Sequence, residues 1–204
     1  MRPVLRASDH FDWVEGSADP AVAYRLAHET AWALLDRVRQ GADPELVERV
    51  IAVADTAALD DIAELWSEAS AHSLAGLLWR LYLIREVVRD DAEQTAHTFR
   101  SGYERARTID PVVVGVEAPA QPETMSELAD QILRGVFSAD LGDALSRASA
   151  FSNIMSMGCT AIADERDDLD AEHASELTQR ALRYSMFAED FALGAKLWRA
   201  GSLR

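Results

Sequence analysis

Cysteine and lysine are almost missing from this chain. A single cysteine, Cys159, cannot close an internal disulfide. A single lysine, Lys196, among 20 basic residues leaves little room for Schiff-base chemistry. The excess of arginine and alanine reads as codon composition rather than mechanism. Long apolar runs are missing as well. None approaches the ~18–20 residues that span a bilayer. The opening MRPVLRASDHFDWVEGS lacks the apolar stretch of a secretory leader. Together these absences predict a protein of the reducing cytoplasm that does not enter membranes.

Positive charge is scarce and unclustered. The chain carries 20 Lys and Arg against 35 Asp and Glu, a net charge of −15. Residues 1–108 hold 12 basic and 19 acidic groups, and residues 109–204 hold 8 and 16. Neither half is basic, so direct nucleic-acid binding is not expected, because phosphates would be repelled. A one-component regulator would need a basic recognition helix near its N-terminus, and residues 1–60 are acidic. No HExxH, GxSxG, GxGxxG or Walker A pattern occurs. No catalytic residue, cofactor or metal is therefore predicted.

What is present is helix. At 204 residues, 49% apolar and 27% charged, the chain has the composition of an ordinary globular domain. In ADPAVAYRLAHETAWALLDRVRQG, Asp19 reads as an N-cap, Pro20 as the first turn and Gly41 as the stop. Asp43-Pro44 repeats that start for a helix over 45–55, and 59–68 reads as another. Further helices are predicted over about 71–89, from Asp90-Asp91 through Arg107, over 122–134, from a Ser138 cap to Asp164, and over about 169–200. The last has Leu177, Ala181, Tyr184, Ala188, Phe191, Ala195 and Trp198 at 3–4 spacing. The Pro- and Val-rich stretch 108–121 is the one strand-like segment, and alone it cannot build a sheet. The fold class is all-α, with seven or eight helices in a compact bundle or stacked hairpins and one extended crossover near 108–121. A single domain over 1–204 is expected, with 1–107 and 122–204 as its two halves.

One side chain poses a question. LLWRLYLIREVVR at 77–89 carries Arg80 in the middle of an apolar surface. With ~100° per residue, Ile84, Leu77 and Val88 flank it on one side and Leu83 and Val87 on the other. Arg85 and Arg89 fall on the far side, which this projection reads as solvated. Arg80 has three readings. It snorkels to water over its own methylenes, it pairs with a carboxylate because an unpaired buried charge is costly, or it holds an anionic ligand. Asp190, set between Phe187 and Phe191, is the preferred partner, and Glu68 is the alternative. If Arg80 instead faces an interhelical pocket, His72, Tyr82, Met155 and Met157 are the residues to inspect beside it.

Other candidates are weaker. Glu68 with His72, and Glu93 with His97, are spaced i,i+4, whereas di-iron bundles use Glu-x-x-His at spacing three. They read as solvated pairs. The acidic stretch 164–172 fails as an EF-hand, since starting from Asp168 the sixth residue is His173 and the twelfth is Gln179. Cys159, on the apolar side of a small-residue helix, reads as an inert buried thiol. His28 reads as a boundary histidine of the first helix.

The aromatic content is high for a helical core. Phe11 and Trp32 fall off the clearest stripes and are expected at the surface, where exposed aromatics mark interfaces. The alternative is that FDWV, with Phe11 and Trp13, tucks onto the body. The functional expectation is a non-catalytic, acidic helical protein that acts through protein–protein contacts, self-association among them. The rival is a binder of a small anionic ligand, or an enzyme, with a pocket near Arg80.

Overall fold

The computed structural model describes residues 20–41, 45, 65–106, 122–138, 140–166 and 170–203. Among the described residues there are six helices and no strand: α1 (Pro20–Gly41), α2 (Leu74–Asp90), α3 (Ala92–Arg105), α4 (Pro122–Ser138), α5 (Leu141–Arg166) and α6 (Ala171–Arg199). Residues 65–67 form a further helical turn. The all-α bundle expected from the periodicity is what forms. The crossover at 108–121, the Asp19 cap and most of the helices over 45–55 and 59–68 lie outside the described residues.

Helix starts follow local chemistry. The first backbone N–H groups of a helix have no partner inside it, and a short polar side chain just before the helix supplies one. Ser73 Oγ accepts from Gly76 N at 3.2 Å and opens α2. Asp91 both ends α2 and opens α3, accepting from Gln94 N at 2.9 Å. Asp170 accepts from His173 N at 3.1 Å and opens α6. The α5 cap is Asp140, which accepts from Asp143 N at 3.2 Å, and not Ser138. Ser138 instead belongs to α4, which runs a turn beyond the expected Arg134. At the other end of the chain, Gly201 adopts φ 64 immediately after α6. The Ser202 N–H then reaches back to Leu197 O at 2.8 Å, a left-handed helix stop that side chains rarely tolerate.

The helices before residue 107 and those after residue 121 share one core. The most extensive contact joins α5 and α6, α3 packs on α5, and α4 bridges α5 and α2. Helix α1 lies against α2 and α4. The small residues of α5 and α6 permit the close pairing. In α6 the buried set is Ala174, Leu177, Ala181, Tyr184, Ala188, Phe191, Gly194 and Ala195. Two serines of α5 fasten it further, with Ser149 Oγ donating to Ala188 O and Ser156 Oγ to Ala181 O, both at 2.8 Å.

Helices α3 and α5 also approach closely. Gly102 and Gly158 face one another's helices so tightly that a Cβ on Gly158 would overlap the carbonyl oxygen of Thr98. A Cβ on Gly102 would overlap that of Ile154. Phe99 stacks on Phe151 beside this contact, with ring centroids 5.8 Å apart.

Trp32 is not the exposed aromatic that its place off the α1 stripe suggested. It is half-buried and stacks on Trp198 of α6 at 6.1 Å. Arg39 of α1 lies over the other partner of that stack, 5.1 Å from the Trp198 centroid. Its Nη2 donates to Val136 O in the last turn of α4, where unpaired carbonyls gather. Phe11 and Trp13 lie outside the described residues.

Candidate functional site

Helix α2 is apolar around most of its girth, and it carries two arginines into the interior. Arg80 sits on the side facing α6. Its Nε donates to Asp190 Oδ2 at 2.9 Å and its Nη1 to Gly76 O at 2.9 Å. The guanidinium also lies 5.7 Å from the Phe187 ring centroid. The Arg80 and Asp190 side chains are 18% and 15% exposed, so this is a largely desolvated pair with one edge at the surface. His72 joins from outside, its Nε2 3.3 Å from the other Asp190 oxygen. Glu68, the alternative partner, is exposed.

Arg85 is the more deeply buried of the two, at 2% exposure. Its Nε donates to Asp130 Oδ1 of α4 at 2.7 Å, and Glu86 lies 3.6 Å from its Nη1. This corrects the expectation of a solvated Arg85. A helical projection gives angles about one axis, and it does not show that α4 covers the side opposite α6. Leu78, Leu81 and Tyr82, one and two turns earlier, share the Arg85 face and are buried with it.

The remaining pocket candidates do not gather around Arg80. Tyr82 is buried against Trp66, with ring centroids 6.3 Å apart, and burial pushes its hydroxyl up to about 12. Met155 is part of the core, and Met157 is exposed on α5. Cys159 is buried, and burial raises its thiol pKa. Among the described residues no group of three or more His, Cys, Asp or Glu is placed to hold a metal ion. No described helix is long and apolar enough to cross a membrane.

The notable concavity lies between α2 and α6. It is a groove of about 220 Å³ lined by Leu83, Ile84 and Val87 from α2 and by Arg180, Arg183, Tyr184 and Phe187 from α6. Arg80 lies over Phe187, one of the lining residues. None of these lining residues was a site candidate in the sequence, although Leu83, Ile84 and Val87 were placed beside Arg80 and Phe187 beside Asp190. Their signal is the spacing 180, 183, 184, 187, which sets two arginines and two aromatics on one helical face. Burial pushes the Tyr184 hydroxyl up to about 12, against the opposing positive charge of Arg180. Arg183 stands exposed at the rim. Neither arginine has a carboxylate within ion-pair distance among the described residues.

Next to this groove the surface is apolar. Val87 of α2 and Leu182, Met186 and Leu193 of α6 are exposed, Leu182 at 63% and Met186 at 55%. On an ideal helix 182, 186 and 193 fall within about 40° of one another. They form a stripe beyond Arg183.

Comparison with family models, with curated proteins and with solved structures finds no match for this chain.

Proposed function

We propose that this protein acts through protein–protein contacts made by the surface that α2 and α6 present together. One observation carries the reading. Helix α6 buries mainly small residues, Ala174, Ala181, Ala188, Gly194 and Ala195, and turns Leu182, Met186 and Leu193 outward. A helix that serves only its own core does the reverse, since burying a leucine or methionine stabilises by about 1.5–3 kcal/mol. Large apolar side chains grouped at the surface mark an interaction site.

The fate of Arg80 supports the same reading over a small anionic ligand. Its charge is met within the chain by Asp190. The neighbouring groove, at about 220 Å³, is smaller than the roughly 300–1,000 Å³ of small-molecule sites. The reading includes a reducing cytoplasm as the setting, since one thiol offers no disulfide, and a second copy of the chain as one of the partners to be tested. It does not include nucleic acid, given the net charge of −15.

The test is site-specific photo-crosslinking in the native host. A photoreactive side chain at position 186 should give an adduct with another polypeptide. The same group at Glu93, exposed on α3, should not. Equal labelling at the two positions, or none at 186, overturns the proposal.

A further inference from the structure

The α2–α6 groove has a chemistry of its own, and it narrows the kind of partner. The inference rests on the protein-contact reading and adds the identity of what is bound. Its α2 wall is wholly apolar, from Leu83, Ile84 and Val87. Its α6 wall adds Tyr184 and Phe187, and two guanidiniums, Arg180 and Arg183, stand one turn apart. In a chain of net charge −15, two arginines without a carboxylate partner among the described residues are an electrostatic vacancy. Several other arginines of the helices are held. Arg80 is on Asp190, Arg85 on Asp130, Arg105 on Asp164 and Arg199 on Asp143.

We infer that this groove receives an amphipathic α-helix from a different protein, with aliphatic side chains seated between Leu83, Val87 and Phe187 and a pair of carboxylates set against Arg180 and Arg183. The helical form follows from the backbone. The polar groups of the lining are two guanidiniums and one tyrosine hydroxyl, and both walls are helices whose backbone bonds internally, so no carbonyl ladder faces the groove. An extended peptide would bury N–H groups without partners, whereas a helix satisfies its own. The groove runs between two helices and has room for a few side chains, the arrangement in which apolar anchors at i, i+3, i+4 and i+7 dock. Arginines at i and i+3 lie about 5–6 Å apart at their Cβ atoms, matching acids one turn apart on the incoming helix. The exposed stripe of Leu182 and Met186 beyond Arg183 extends the contact beyond the groove. That extension is needed for an interface of ordinary size, roughly 800 Å² per partner. A second copy of this chain is disfavoured as occupant by repulsion between two bodies of net charge −15.

The experiment selects a displayed library of randomised helical 15-mers against the full-length chain and measures the winners by fluorescence anisotropy. The expected winners carry aliphatic residues at i, i+3, i+4 and i+7 flanked by Asp or Glu. Arg183→Glu should weaken them by about tenfold or more. A peptide with its acids changed to arginine should regain affinity for Arg183→Glu and not for the wild type. Tm of the variant should match the wild type, since Arg183 is exposed. Three outcomes overturn the inference. Winners that are basic or uncharged and indifferent to Arg183→Glu reject the acidic helix while leaving the crosslinking result at 186 to stand. No helical winner, with dodecanoate instead shifting the NMR methyl signals of Leu83, Ile84 and Val87, makes the groove a site for a small amphiphile. A wild-type dimer in light scattering that Arg183→Glu dissociates makes the occupant a second copy.

Discussion

Substituting Gly158 by alanine tests a close contact between two helix backbones. The added methyl group would overlap the carbonyl oxygen of Thr98 and lie 2.8 Å from its carbonyl carbon and 3.0 Å from Thr98 Cγ2. The obstacle is backbone, so no rotamer change relieves it. Restoring an ordinary C···O separation of about 3.3–3.6 Å requires α3 and α5 to part by on the order of 1 Å. A gap of that size forfeits about a quarter to a half of each dispersion contact across it. The contacts concerned include the Phe99–Phe151 stack and the packing of Ile154. Overpacking of a well-filled core costs about 1–3 kcal/mol, and this site belongs at the upper end, about 3 kcal/mol. For a domain near this size that lowers Tm by roughly 6–12 °C. Gly102→Ala should cost a similar amount, because its methyl group would overlap Ile154 O. The double variant should cost less than the sum, since the first separation makes room for the second methyl. The control is Gly135→Ala in α4, where the new Cβ would meet only the Ala144 Cβ at 3.4 Å, an ordinary contact. There the better helix propensity of alanine should raise stability by about 0.5–1 kcal/mol. Calorimetric melts of the four variants read all of this. A Gly158→Ala protein that melts with the wild type would refute the packing described for α3 and α5.

Two further predictions concern buried polar groups. Asp130→Asn, which strips the carboxylate from buried Arg85, should cost about 2–3 kcal/mol, less than the 3–5 of a fully enclosed pair because Asp130 is 34% exposed. Arg85→Met combined with Asp130→Leu should cost well below the sum of the single changes in denaturant titrations, and strict additivity would show that the pair is not coupled. Tyr82 and Tyr184 both ionise at about 12 in the fold, against about 10 when unfolded. Their raised values mean that the stabilisation is complete below pH 10 and falls as pH rises toward 12, by about 2–3 kcal/mol per tyrosine. Urea melts between pH 8 and 12 should show this decline, shallower in Tyr82→Phe, and a flat profile would contradict the burial of both hydroxyls.

The two arginines of α2 show how far a sequence carries. Asp190 could be matched to Arg80 because each shares a helix face with apolar residues, Asp190 between Phe187 and Phe191, and two such charges in one interior must find each other. The same logic applies to Arg85, which follows Leu78, Leu81 and Tyr82 on one face, and to Asp130, which lies between Leu128, Ala129, Ile132 and Leu133. It was obscured by assuming that one side of α2 faces water. Periodicity assigns residues to faces, but the number of neighbours covering a helix is a property of the whole bundle. Helix α2 is covered by α6 on one side and by α4 on the other.

Helix α6 gives the converse case. Its stripe of Leu177, Ala181, Tyr184, Ala188 and Phe191 was legible as a buried face, and that is the face packed in the core. Leu182, Met186 and Leu193 lie off that stripe. They remain outside because α5 also presents small residues, Ala148, Ser149 and Ser152 among them, and brings the two backbones close. A close approach between helices narrows the strip of each that can be buried. The tight α5–α6 pairing, and not an excess of apolar residues, is therefore what leaves Leu182, Met186 and Leu193 in solvent. Residues on such a strip are free of any packing requirement from the fold. Under the proposed function their apolar character answers to a partner, which puts the proposed contact on the outside of this helix and not between its aromatics in the core.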